Sequence, residues 1–191
     1  MGSEFCALNC RKTHSPWLTA LIIIFKWLTG IRNEFILRTV RLVIQRVKQA
    51  QVDVEGTTIG RIGPGMLIFL GVAKTDTPQD ADYLIRKITQ LRIFSDPAGK
   101  MNLSIRETGG EFLVVSQFTL FGDCAQGRRP SFDQAALPEF GEKLYDYFVE
   151  SLKKENFKVE TGRFRAMMDV ILSNDGPVTL IVESKSYTPR G

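Results

Sequence analysis

From Val40 onward the apolar and polar positions change rhythm several times, and each rhythm predicts an element. "VRLVIQRV" opens as a strand, and "AQVDVEGTTIGRIG" alternates around a Gly-containing turn. "MLIFLGVA" (Met66 to Ala73) is apolar without interruption, which predicts a strand buried on both faces. "TPQDADYLIRKITQLRIF" then shifts to helical spacing, with Ala81, Leu84, Ile85, Ile88 and Leu91 on one face. Thr77 stands as its N-cap, Pro78 at its first position and Asp80 in its first turn, residue types that suit the free amides of a helix start. "SDPAGK" closes the unit as a turn.

"EFLVVSQFTLF" (Glu111 to Phe121) is the strongest strand signal in the chain. A polar Gly/Arg-rich loop follows, then a second helix from about Pro138 to Glu155 with Phe140, Leu144, Tyr147, Phe148 and Leu152 on one side. Two β-like runs, Met168 to Leu172 and Val178 to Val182, flank Asn174-Asp175-Gly176 and predict a hairpin. Pro177 is the anomaly there, because a returning strand would need the N–H that proline lacks. The order lacks regular βαβ alternation. It predicts a single α+β domain over residues 40–184, with mostly antiparallel sheets that curl or pack together and two helices outside. The tail from residue 185 reads as frayed.

Composition adds little until charge is located. The chain has 191 residues, 43% apolar and 24% charged, which suits one globular domain with a real core. Of the net charge of +4, residues 1–39 supply +3, so residues 40–191 are nearly neutral. Any nucleic-acid partner must then be held by a local basic patch. Cys6, Cys10 and Cys124 are too few for a disulfide framework and predict free thiols in a reducing compartment. Cys6 and Cys10 have no second pair to complete a zinc site.

Residues 1–39 stand apart. "MGSEF" resembles a tag remnant, and the apolar run from Trp17 to Leu28, broken by Lys26, is shorter than the ~20 residues of a spanning helix. An organelle transit peptide, a signal peptide and an extension without function all remain open for it. A cytoplasmic location is expected, with an organelle as the alternative, and no membrane is expected for residues 40–191.

The sole histidine, His14, lies in that front segment. Histidine-based triads and most zinc hydrolase sites are thereby excluded from residues 40–191. No P-loop, dinucleotide fingerprint or paired metal motif is present, and "GRIGPG" reads as a plain turn. What remains is "LVVSQFTLF", which sets Ser116, Gln117 and Thr119 among apolar residues. Buried hydroxyls and amides are costly unless bonded, so this run either ends at a cleft or bonds neighbouring backbone. As a strand it would turn Ser116 and Phe118 to one face, Gln117 and Thr119 to the other. Arg128 and Arg129 in "GRRPSF" can bind phosphate, but surface arginines are common.

Taken together, "VIQRV" (Val43 to Val47), "LRIFSDPAGKMN" (Leu91 to Asn102), "SQFTL" (Ser116 to Leu120), "GRRPSF" (Gly127 to Phe132) and "NDGPVT" (Asn174 to Thr179) resemble the D-aminoacyl-tRNA deacylases. The resemblance covers nearly all of residues 40–184 and none of residues 1–39. It implies a homodimer with an antiparallel β-barrel-like core that hydrolyses the ester between a D-amino acid and tRNA, without metal or cofactor. Aminoacyl-tRNA is the implied partner, with Ser116, Gln117, Phe118 and Thr119 lining the pocket for its charged end. It also implies a cis Gly176-Pro177 pair inserted into the partner subunit's pocket, with Arg46 helping to hold that loop. A rigid main-chain wall there would exclude an L-side chain by clash.

Thr119 as nucleophile would need a base. The expected route is instead positioning of the ester, oxyanion stabilisation by amides around Phe118 and Thr119, and assistance from the 2′-hydroxyl of the RNA. Ser116 and Gln117 are expected to orient. A main-chain pocket should accept many D-residues and glycine. Two other classes stay open: a non-catalytic dimeric module that binds the tRNA acceptor end, and a general esterase of small substrates.

Overall fold

The computed structural model describes residues 39–184. The readings made of Cys6, Cys10, His14, the Trp17–Leu28 run and the tail from residue 185 lie outside the described residues.

Strand β1 (Arg41–Val54) and β2 (Thr57–Ile62) form a hairpin across Glu55 and Gly56, both at positive φ (51° and 76°). Two such residues give the turn whose twist matches the flanking strands. β3 (Gly65–Gly71) returns antiparallel along residues 41–47 of β1. As its unbroken apolar run predicts, it is covered twice: Met66, Ile68 and Leu70 face one apolar cluster, and Leu67 faces another.

Helix α1 (Pro78–Gln90) starts where the residue types predict. The Asp80 carboxylate accepts from the Thr77 amide at 3.0 Å and the Thr77 hydroxyl at 2.7 Å. Ala81, Leu84, Ile85 and Ile88 are buried beneath it. Short strands β4 (Phe94–Ser95) and β5 (Met101–Leu103) pair around the "SDPAGK" turn, where the Gly99 amide donates to the Asp96 carbonyl at 2.9 Å.

A one-turn helix, α2 (Ile105–Thr108), lies beyond the two helices expected from the sequence. Its signal was present as "SIRE": the Ser104 amide and hydroxyl each donate to Glu107 at 2.7 Å. β6 (Glu111–Ser116) then runs parallel to β3. The predicted strand to Phe121 is thus cut short, because residues Phe118–Phe121 wind into a 3-10 turn.

Helix α3 (Pro138–Lys154) buries Leu144, Tyr145, Phe148, Val149 and Leu152. Its buried stripe is therefore rotated from the expected one: Phe140 and Tyr147 are exposed, and the Tyr147 hydroxyl donates to Asp82 at 2.8 Å. The buried Tyr145 hydroxyl donates to the Val114 carbonyl at 2.8 Å, and its pKa is raised chiefly by burial.

β7 (Val159–Thr161) pairs parallel with β6. β8 (Asp169–Glu183) overturns the expected hairpin. Its two apolar halves pair with β1 and not with each other, from Asp53↔Asp169 to Arg41↔Glu183. Between them the chain leaves the ladder, since Val47 to Gln45 opposes Asn174 to Thr179. A proline without a ladder N–H is tolerated in such an excursion.

The sheet is mostly antiparallel and nearly closed into a barrel, with β2 reaching β7. At Gly60 an added Cβ would lie 2.6 Å from the Thr161 carbonyl oxygen, so only glycine allows that approach. Val47, Ala50, Val52, Ile62, Leu67, Leu113 and Val115 fill the interior, and the larger cluster fills the space between sheet and helices. Among the described residues no helix is long and apolar enough to cross a membrane.

One ionic tie across the sheet has a pH signature. Glu111 accepts from Lys158 Nζ at 2.9 Å and from the Gly63 amide at 2.9 Å. The Lys158 bond, more than the backbone one, holds its pKa below the ordinary 4.5, against a smaller opposing effect of burial. Its contribution is complete above 4.5 and is lost as pH falls through the lower folded value. Water screens the pair, so Glu111→Gln should destabilise by no more than ~1 kcal/mol at pH 7. Urea melts should show that difference shrinking as pH falls below 4.5; a difference that grows on acidification would contradict the assignment.

Candidate active site

β6 delivers Ser116 to the end of the ladder, and the Gln117 amide still bonds the Leu70 carbonyl of β3 at 2.8 Å. Gln117 then turns the chain (φ −142°, ψ 83°) into the 3-10 segment. The turn replaces the strand alternation and brings Gln117 and Thr119 together: the Gln117 side-chain amide donates to the Thr119 hydroxyl oxygen. Thr119 therefore bonds a side chain, not neighbouring backbone. The first amides of such a turn have no partner within it.

Ser116, Gln117, Phe118 and Thr119 line one cavity of about 710 Å³. Phe118 is 58% exposed and meets Phe132 edge-on, with ring centroids 5.1 Å apart. The aromatic edge is thus part of the mouth. Opposite walls come from the start of α3, at Ala136 and Pro138, and from the β7–β8 connection, Phe164 to Met168. That connection was missed from sequence; its signal was the apolar "FRAMM" stretch just before a strand.

Arg128 and Arg129 do not line the cavity. They are exposed in a loop closed by paired backbone bonds between Asp123 and Ser131, at 2.7 and 2.9 Å. Phe132, just past that closure, ties the loop base to Phe118.

Asn174 to Val178 makes the excursion from β8. The Gly176-Pro177 peptide is cis, and both residues are exposed. The base of the loop is braced. Buried Arg46 donates to the Asp175 carbonyl at 3.1 Å and pairs with its carboxylate at 2.8 Å. It also donates to the Ile93 carbonyl. The Asn174 side-chain amide donates to the Arg46 carbonyl at 3.0 Å and the Val178 carbonyl at 3.2 Å, and Val178 is buried. None of residues 174–178 lines the cavity of its own protomer.

No group of three or more metal-ligating side chains is found among the described residues. The site offers hydroxyls, amides, apolar walls and one guanidinium, Arg165. Such a set can orient and polarise a neutral ester, but it supplies no obvious proton acceptor.

Residues 43–183 match the family model described as D-Tyr-tRNA(Tyr) deacylase. A D-aminoacyl-tRNA deacylase of Thermosipho melanesiensis is 59% identical over 146 residues, 76% of this chain and 97% of that relative. One from Desulfatibacillum aliphaticivorans is 61% identical over 145 residues, 76% of this chain and 99% of that relative. Among solved structures, a c-Myc DNA unwinding element binding protein superposes with TM-score 0.72 at 39% identity, covering 76% of this chain and 99% of its own. A probable eukaryotic D-amino acid tRNA deacylase shares the fold at TM-score 0.66 and 19% identity, with the same coverage.

Proposed function

Because the chain belongs to the D-Tyr-tRNA(Tyr) deacylase family, we propose that it discriminates the hand of the amino acid with main chain from a second copy of itself. It is an ester hydrolase, a D-aminoacyl-tRNA deacylase. In this reading the charged end of tRNA enters the cavity at Ser116–Thr119, and the partner subunit's Gly176-Pro177 tip forms the wall opposite. An L-side chain meets that wall, whereas a D-side chain points away from it.

The observation that carries the reading is the braced but untouched tip. Arg46 and Asn174 fix the base of the loop, yet Gly176 and Pro177 are exposed and outside their own cavity. A second protomer gives that rigidity a purpose. The sheet face supports such a partner: Phe69, Val43 and Ile181 sit side by side across β3, β1 and β8, with Ile181 70% exposed.

Chemically, water adds to the ester carbonyl carbon and the bond to the ribose 3′ oxygen breaks. The proton lost by water passes to that leaving oxygen through the adjacent 2′-hydroxyl. Amides at Phe118 and Thr119 stabilise the oxyanion between these events. Ser116 and Gln117 orient the ester, and Arg128 and Arg129 meet tRNA phosphates farther out. Because the pocket reads main-chain atoms, glycyl-tRNA is also a substrate in this scheme.

The test is ester loss from D-tyrosyl-tRNA and L-tyrosyl-tRNA, with the oligomeric state followed by sedimentation. Cleavage of the D-form alone by a dimer is expected. Binding without cleavage would leave an acceptor-end-binding module, and equal activity on a free amino-acid ester would leave a general esterase. Thr119→Ala should retain activity within roughly tenfold, well short of the ~10²–10⁴-fold loss expected on removing a general acid or base. Complete loss, together with an acyl-enzyme trapped in wild type, would make Thr119 the nucleophile instead.

A further inference from the structure

We propose that Arg165 is a substrate-binding residue that holds a backbone phosphate of the tRNA acceptor end at the mouth of the cavity. This rests on the reading of the cavity as the site of the charged tRNA end. Arg165 occupies the third position of a turn in which the Ala166 amide donates to the Arg163 carbonyl at 3.2 Å. Its φ is +61°, a conformation that glycine or asparagine adopts with least strain at that position. A long charged residue in such a place invites a functional reason.

Three features say what the reason is. Among the described residues that line the cavity, Arg165 is the only charged one. It is exposed, and among the described residues no carboxylate is bonded to it. Its cavity-lining neighbours on the same connection, Phe164, Ala166, Met167 and Met168, are apolar. Arg163, also on that connection, is exposed but does not line the cavity. A guanidinium stays protonated and presents a fork that fits phosphate oxygens in pairs. The α-amino group of an aminoacyl ester is itself cationic and repels this arginine, and the rest of the amino acid carries no negative charge to hold it. The phosphodiester that precedes the terminal nucleoside does.

The discriminating pair of substrates is D-tyrosyl-tRNA and the D-tyrosyl ester of adenosine, which has no phosphate. For Arg165→Gly, KM for the tRNA should rise about five- to tenfold with kcat within about twofold. KM for the adenosine ester should move less than about twofold. The slope of log KM against log salt for the tRNA should become shallower by roughly 0.7, the share of one single-strand phosphate contact. Arg165→Lys should recover part of the affinity, and the glycine variant should melt at a higher temperature because its backbone is relaxed.

An unchanged KM for the tRNA, or an equal loss on both substrates, overturns the assignment while leaving deacylation intact. Wild-type protein that cleaves neither D-substrate overturns the deacylase reading itself, and this one with it.

Discussion

In the proposed dimer, where the Gly176-Pro177 tip walls the partner's cavity, Arg46→Met should lower D-aminoacyl-tRNA cleavage by about 100-fold, the scale expected for a ~1 Å shift. Arg46 is 7% exposed and ties three points together: the Ile93 carbonyl, the Asp175 carbonyl and the Asp175 carboxylate. Methionine fills much of the same volume but makes none of these bonds. The Ile93 carbonyl would lose a buried partner, whereas Asp175 is exposed enough to be rehydrated. Together these should destabilise the fold by about 2–3 kcal/mol. The functional effect should exceed the stability effect, because the tip at Gly176-Pro177 loses its brace. A yielding wall excludes less well, so the ratio of D- to L-cleavage should narrow as the D-rate falls. Arg46→Lys should recover only part, since a single ammonium cannot span both carbonyls and the carboxylate as the fork does. Single-turnover rates on both charged tRNAs, measured at a temperature where the variant is folded, check this. A D-to-L ratio that stays at the wild-type value would detach the brace from chiral selection.

Gly65→Ala carries the largest expected loss of stability. Gly65 opens β3 and faces Glu111, where β6 begins. An added Cβ would lie 1.9 Å from the Glu111 carbonyl oxygen and 2.7 Å from its amide nitrogen. Both are backbone atoms, so neither can rotate away. The parallel ladder from Gly65↔Glu111 to Leu70↔Ser116 would have to part, and Ser116 would move with it. A loss of about 3–5 kcal/mol is expected, a large share of the 5–15 kcal/mol of a typical domain. Gly63→Ala is the control two residues earlier. Nothing lies within 4 Å of a Cβ there, and its change should stay within ~0.5 kcal/mol. Urea denaturation of the two variants side by side decides it; near-equal midpoints would refute the contact.

The helices show where periodicity is a sufficient guide. Ala81, Leu84, Ile85 and Ile88 repeat with helical spacing and are buried. In α3 the same rule finds Leu144, Phe148 and Leu152 but takes Phe140 and Tyr147 in place of Tyr145 and Val149. The shared residues fix a stripe only to within about one position, and aromatic side chains can sit at its polar border with a hydroxyl bonded outward. The 3-10 turn at Phe118–Phe121 was illegible for a different reason. Apolar content reports burial, not backbone direction, so "LVVSQFTLF" looks the same extended or wound.

The loop at Asn174–Val178 shows the limit most clearly. Local turn chemistry predicts that its flanks pair with one another, yet they share β1, some 130 residues away in sequence. Nothing near Asn174 encodes that distant strand, although Pro177 did signal a break in regular pairing. The same gap hid the wall from Phe164 to Met168, which becomes a wall only when the sheet curls.

The pairing of first strand with last also sets a timetable for synthesis. Asp169 follows Arg41 by 128 residues, roughly 6–26 s at common elongation rates. During that interval the nascent chain carries one long flank of Arg41–Val54 without its final mate. A ribosome stalled before Asp169 would therefore hold a sticky edge open to other chains, and completion of translation is what seals it.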